Sequence, residues 1–351
     1  MGGAEPFAIH FNARVRGMKS ALFSRARVED IFDQQDLSVT VELLLHSPYG
    51  REMAEALTRY RGADAIEDAV TRNMVATFRK LAYRAEGRFR KLTALFLQRW
   101  DLAAIKSLLR YRHQGGKAHP AALFPGPTLT VALQQELAER ASMAELVGGL
   151  SLWDPEMCGA LVKHVKAYEQ DHVLIPLEEA LDRSYFVENA ARLEDDSHEN
   201  CLQLRRLLQI EIDRVNLRAL FTLVSAKAPR EVITARLMPQ GTLSRRRLSR
   251  MAEAQGVVEL VEMLGGTMYG ELVEIVYQFL QTRMFSPTER YFELTLMREL
   301  RRMARRSPLS IAVLMDYAWL KYNEVTNLRL IARGEARHLP RGRVREELLF
   351  V

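Results

Sequence analysis

Three acids recur at one register and are the sharpest candidates for a catalytic role. Asp101, Asp213 and Glu324 stand 112 and 111 positions apart, and each opens the same short pattern. The copies read Asp101-Leu102-Ala103-Ala104-Ile105-Lys106, Asp213-Arg214-Val215-Asn216-Leu217-Arg218 and Glu324-Val325-Thr326-Asn327-Leu328-Arg329. A positioned carboxylate is a candidate general acid, base or nucleophile. One acid in each of three similar units instead suits an equivalent structural job done three times. That job is accepting hydrogen bonds from free N–H groups at a neighbouring helix end. Asn216, Asn327, Ile105, Leu217, Leu328, Lys106, Arg218 and Arg329 then fall on alternating polar and apolar faces of a helix, also a structural arrangement.

Other chemistry is thin. Gly115-Gly116-Lys117-Ala118 has neither the earlier glycine of a phosphate loop nor the Ser/Thr that would meet Mg²⁺, and reads as a helix stop followed by a lysine. Asp195, Asp196, His198 and Glu199 do not have the helical spacing of known metal sites and read as a loop. His46, His113 and His172 stand apart from any nucleophile pattern. Cys158 and Cys201 show no paired spacing, as expected of a reduced cytoplasmic protein. The reading is of no catalytic residue, no metal, no cofactor and no bound nucleotide.

The elements that must position the acids are helices. Apolar residues follow each acid at i, i+3, i+4 spacing: Ile105/Leu108/Leu109, Leu217/Leu220/Phe221 and Leu328/Ile331/Ala332. A long helix is predicted before each, starting near Ile66, Leu177 and Thr288, the last two behind Pro176 and Pro287. Acids in their first turns suit the helix dipole. Breaks at Gly87, at Asp195–His198 and at Ser307-Pro308 separate each long helix from the one carrying the acid. Each unit reads as an antiparallel helical hairpin capped by shorter helices. Helix signals begin at about Val28. The turn Phe124-Pro125-Gly126-Pro127-Thr128-Leu129 matches Met238-Pro239-Gln240-Gly241-Thr242-Leu243, and Leu339-Pro340-Arg341-Gly342 reads as a truncated third version. No alternating β-branched run appears. The expected fold is all-α, three similar helical domains at 1–118, 119–228 and 229–351.

Composition agrees. At 351 residues and 48% hydrophobic content the chain can bury a core in each of three units. Its longest nearly charge-free apolar run, Ser310 to Leu320, is too short for a bilayer, which takes about 20 residues. The stretch Met1 to Gly17 has no apolar core of signal-peptide type. Fifty bases interleave with 44 acids, for a net charge of +6. The densest basic runs, Arg245-Arg246-Arg247 and Arg301 to Arg306, do not interleave with the aromatics of a single-strand binder, so a charge-rich helical surface is expected and no nucleic acid.

The segments FNARVRGMKSALFS at 11–24, Ser47-Pro48-Tyr49-Gly50, RWDLAAIKSLLRYRHQGG at 99–116, LRRLLQIEIDRVNLRALF at 204–221 and WLKYNEVTNLRLIARG at 319–334 together resemble the C-subunit family of the prokaryotic V/A-type rotary ATPases, which is similar to the d-subunit family of eukaryotic vacuolar ATPases. The resemblance spans nearly the whole chain. Ala104 departs from it where the family usually has Asn, and Phe11 where Tyr is common. It implies three helical domains forming a funnel with pseudo-threefold symmetry. It implies a non-catalytic rotor part on the cytoplasmic side of the membrane, held peripherally. The wide opening would receive the D and F subunits of the central shaft, and the other face would sit on the membrane proteolipid ring. The competing reading is a helical-repeat scaffold or adaptor. Such solenoids repeat every ~20–45 residues, well short of the period here.

Overall fold

The computed structural model describes residues 6–116, 126–276 and 286–350. The boundary expected near 118, together with Lys117, Ala118, Phe124 and Pro125, lies outside those residues. Every regular element among the described residues is helical. The chain runs through α1 (Pro6–Lys19), α2 (Arg25–Gln34), α3 (Leu37–Leu45), α4 (Gly50–Ala56), α5 (Gly62–Arg84) and α6 (Gly87–His113). It continues through α7 (Val131–Ala138), α8 (Met143–Trp153), α9 (Pro155–Cys158), α10 (Val162–Asp171), α11 (Ile175–Arg192) and α12 (Glu199–Ser225). Then come α13 (Arg230–Arg236), α14 (Arg245–Met251), α15 (Val257–Glu262), α16 (Ser286–Arg306), α17 (Ala312–Ala336) and α18 (Arg341–Glu347).

These helices pack into two compact units, Met1–Glu178 with Leu300–Val351, and Glu179–Glu299. The cuts fall inside the segments 119–228 and 229–351. In the first unit α17 is the central helix, packed against α1, α2, α3 and α5. The apolar run noted above is the reason. Every residue from Ser310 to Trp319 is buried, so this run is core. Trp319 lies 5.7 Å from Trp100, which lies 4.5 Å from Phe78 and 5.3 Å from Phe96, ring centre to ring centre. Each such aromatic pair adds about 0.5–1.5 kcal/mol beyond the area it buries. In the second unit Leu217, Leu220, Phe221 and Val224 of α12 face Leu248 and Met251 of α14, Leu260 and Val261 of α15, and Phe292 of α16.

Two sequence expectations change. The opening stretch is already helical, as α1, because Ala8, Phe11 and Val15 form a buried stripe one turn apart. The pairing of Leu339-Pro340 with Met238-Pro239 also gives way. Each acid-bearing helix ends with a left-handed residue 14 positions after its acid: Gly115, Lys227 and His338. The next amide in each case bonds back to the fifth residue before it: Gly116 N to Tyr111 O at 3.0 Å, Ala228 N to Leu223 O at 2.9 Å, and Leu339 N to Gly334 O at 2.8 Å. Pro229 and Pro340 then start α13 and α18. The counterpart of Pro340 is therefore Pro229.

Candidate functional site

The three acids are buried, with Asp101 and Asp213 at 0% exposure and Glu324 at 6%. Each accepts a hydrogen bond from the backbone N–H of the residue that precedes the N-cap of a short helix. For Asp101 the donors are Leu129 N at 2.9 Å, Thr128 N at 2.9 Å and Thr128 Oγ1 at 2.8 Å, just before the N-cap Thr130 of α7. For Asp213 they are Leu243 N at 3.2 Å, Thr242 N at 2.9 Å, Thr242 Oγ1, and Tyr269 Oη at 2.9 Å, just before the N-cap Ser244 of α14. For Glu324 they are Phe23 N, just before the N-cap Ser24 of α2, the Tyr49 hydroxyl, and Lys321 Nζ at 3.3 Å. The chain at 21–24 reads Ala-Leu-Phe-Ser, so Leu22 stands where Thr128 and Thr242 stand and offers no hydroxyl. Lys321, itself buried and 3.9 Å from the centre of the Tyr49 ring, supplies a donor there.

Backbone must come very close to these carboxylates. A Cβ at Gly126 would lie 2.1 Å from Asp101 Oδ1, and one at Gly241 would lie 2.1 Å from Asp213 Oδ1. Only glycine fits there. Burial pushes the carboxyls of Asp101 and Asp213 above the ordinary range, with the donated hydrogen bonds opposing it. Burial likewise raises the Tyr269 phenol and, with the Glu324 charge, the Tyr49 phenol, while it lowers Lys321.

A base on each acid-bearing helix makes a second contact, and in the second and third patterns it is the closing Arg218 and Arg329. Glu67, Glu178 and Glu289 are 111 positions apart; Glu178 and Glu289 lie in the first turns of α11 and α16, and Glu67 lies in the second turn of α5. Arg329 Nη2 lies 3.4 Å from Glu67, and Arg333 bonds the same carboxylate, with Nε to Oε1 at 2.5 Å. Arg218 Nη1 lies 3.3 Å from Glu289, with Arg214 reaching Glu293 at 2.7 Å. Arg110, one turn past Lys106, holds Glu178 through two parallel bonds of 2.6 and 2.8 Å. Burial and the neighbouring Arg333 depress the Arg329 guanidinium.

The Asn of the pattern clamps the segment that follows. Asn216 Nδ2 donates to Met238 O at 2.8 Å and its Oδ1 accepts from Met238 N at 2.7 Å. Asn327 does the same to Leu349, at 2.8 and 3.0 Å. Both partners lie 22 positions on. Ala104 has no amide for this pair. Ile105, Leu217 and Leu328 are buried in the core.

In sequence terms, each acid and base reaches forward. Asp101 and Arg110 hold Leu129 and Glu178, Asp213 and Arg218 hold Leu243 and Glu289, and Glu324 and Arg329 return to Phe23 and Glu67. Sequence reasoning took the three glutamates only as dipole partners, although their spacing of 111 was available.

Chemically this is a set of closed carboxylates whose lone pairs meet fixed donors. Among the described residues no cluster of three or more His, Cys, Asp or Glu could hold a metal ion. The run at 195–199 is a capping turn: Asp196 Oδ1 accepts from His198 N at 2.9 Å, and the His198 ring accepts from Asn200 N at 3.2 Å. His113 meets the Tyr168 hydroxyl at 3.0 Å, and His172 is the left-handed cap of α10. Cys158 and Cys201 are both buried and form no disulfide. No helix among the described residues is long and apolar enough to cross a membrane.

Comparison with known proteins gives this arrangement its setting. The family model described as ATP synthase (C/AC39) subunit matches residues 11–347. The A-type ATP synthase C-subunit of Haloquadratum walsbyi is 27% identical over 343 residues, covering 97% of each chain. That of Methanococcoides burtonii is 27% identical over 346 residues, covering 97% of this chain and 94% of its own. That of Haloferax volcanii is 26% identical over 356 residues, covering 100% and 99%. With nearly its full length matched, the chain belongs to the ATP synthase (C/AC39) subunit family and is a non-catalytic subunit.

Proposed function

We propose that this chain is the central-stalk joint of an A/V-type rotary ATP synthase. It is built as three similar helical domains around a pseudo-threefold axis, with boundaries near 118 and 228. In this reading they form a socket for the D and F subunits of the shaft, seated on the membrane proteolipid ring at its cytoplasmic side. The joint carries torque that drives, or is driven by, H⁺ or Na⁺ flow. The observation that carries the reading is the double tie. At a register of 111–112 residues an acid grips the amide before the next short helix, and a base on the same helix, Arg110, Arg218 or Arg329, grips a glutamate near the start of the next long helix. The third set returns to Phe23 and Glu67, so the last repeat is bonded to the first. A part loaded in torsion needs neighbouring domains held at more than one point, and needs no reactive group. The two ties also differ usefully in kind. The buried carboxylate ties are short-ranged and insensitive to salt, whereas an exposed pair such as Arg110–Glu178 contributes only about 0–1 kcal/mol.

The test is composition. The native complex is purified through a tag on this chain and its subunits are identified. Shaft and proteolipid subunits in stoichiometric amount are expected. A set of unrelated soluble partners with neither of them would replace the joint with the adaptor reading.

A further inference from the structure

One end of the first unit is strongly basic, and no role described so far uses it. The turn between α5 and α6 and the turn between α16 and α17 both meet α1. Phe7 and Phe11 pack their rings on Phe89 at 5.9 and 5.7 Å. Asn12 Nδ2 donates to Ser310 O at 3.2 Å and Arg16 Nη2 to Pro308 O at 2.8 Å. Residues 6–18, 80–91 and 300–315 together hold eleven lysines and arginines and one acid, Glu86. That is a surplus of ten positive charges where the whole chain has six. All eleven except Arg301 are exposed. The corresponding turn of the other unit, between α11 and α12, is acidic instead, with Glu194, Asp195 and Asp196. Basic character is therefore not a general property of these turns.

Large apolar side chains stand among the charges. Tyr83 is 81% exposed, Ile9 48% and Leu309 36%. Cations with exposed aromatic and aliphatic groups between them match the headgroup layer of a bilayer, where the charges meet phosphates and the apolar groups enter the acyl boundary. An acidic protein surface would use the charges but would leave Tyr83, Ile9 and Leu309 in water.

We propose that this face of the first unit binds anionic phospholipid headgroups directly. This goes beyond the coupling role, since the ring is protein and this surface takes lipid. Protein-free vesicles test it in the absence of shaft and ring, so its failure is separate from failure of the coupling reading.

The full chain is sedimented with vesicles of phosphatidylcholine alone and of phosphatidylcholine mixed with phosphatidylglycerol. Binding to the mixed vesicles only, falling as salt rises, is expected. Arg84→Gln, Arg305→Gln and Arg306→Gln combined should weaken it about a hundredfold, at about fivefold per cation. The same number of exposed charges removed at Arg245, Arg246 and Arg250 should leave it unchanged. All six side chains are exposed, and unchanged circular dichroism confirms that both variants fold. Three results would overturn the proposal: no binding to anionic vesicles, an equal loss in the two variants, or binding to polyglutamate with none to vesicles. The last assigns the surface to an acidic protein.

Discussion

Replacing Asp213 by alanine is the perturbation that the structure resolves most fully. The carboxylate accepts from two backbone amides, Thr242 N at 2.9 Å and Leu243 N at 3.2 Å, and from the hydroxyls of Thr242 and Tyr269. In the alanine variant the hydroxyls can turn to other acceptors, but the amides are fixed by the turn. Each orphaned buried N–H costs about 1–3 kcal/mol, so the gross loss is about 2–6 kcal/mol. Part of it is returned, because burial has raised the Asp213 carboxyl and the variant no longer buries that charge. The net expectation is a loss of about 2–4 kcal/mol. With a urea slope of about 2 kcal/mol/M, the midpoint of the transition that unfolds residues 179–299 falls by about 1–2 M. Tyr269→Phe removes one rotatable donor and leaves the amides paired, so it should cost about 0.5–1.5 kcal/mol. The assay is urea denaturation followed by circular dichroism, with the slope checked for constancy. A midpoint shift in Asp213→Ala no larger than that of Tyr269→Phe would refute the claim that the acid holds the turn.

Further outcomes follow from the same geometry. The folded Asp213 carboxyl lies above its unfolded value, so its contribution is fully present below the unfolded value and is lost as pH rises through the folded one. The stability of the native chain relative to Asp213→Asn should therefore fall as pH rises through that window, and a gap that widens with pH would contradict the direction. Gly241→Ala places a methyl 2.1 Å from Asp213 Oδ1 and should cost about 1–3 kcal/mol or more in the same denaturation assay. Asn327→Ala frees Leu349 N and O, so the amides of residues 341–350 should exchange hydrogen faster while those of α12 do not. Leu220→Ala, at a fully buried site in the second unit, should lower stability by about 2–5 kcal/mol, read from the same midpoint.

The helical class was legible because apolar spacing, proline starts and glycine stops all agree along the chain. The acids were legible because the same residue types return at one register. Their partners were legible only where the loop repeats in type, as Thr128-Leu129 and Thr242-Leu243 do. Phe23 was hidden because its loop carries neither the threonine nor the glycine, and because it lies 301 positions from Glu324. No local pattern encodes a contact that joins the two ends of a chain. Lys321 was hidden for another reason. A lysine reads as surface, and only its proximity to Glu324 and the Tyr49 ring accounts for its burial. Glu67, Glu178 and Glu289 carried their full register in the sequence, yet an acid near a helix start already has a sufficient local explanation in the helix dipole. The α1 helix escaped because its stripe of Ala8, Phe11 and Val15 spans barely two turns.

The central claim is that the chain joins shaft to ring and takes no part in the chemistry. The most direct measurement reconstitutes the membrane complex with and without it, then follows ATP hydrolysis and ion transport side by side. Without the chain, the catalytic head should still hydrolyse ATP while ion transport is lost, and restoring the chain should restore transport. A head that is inactive without it, or hydrolysis by the isolated chain, would contradict the account.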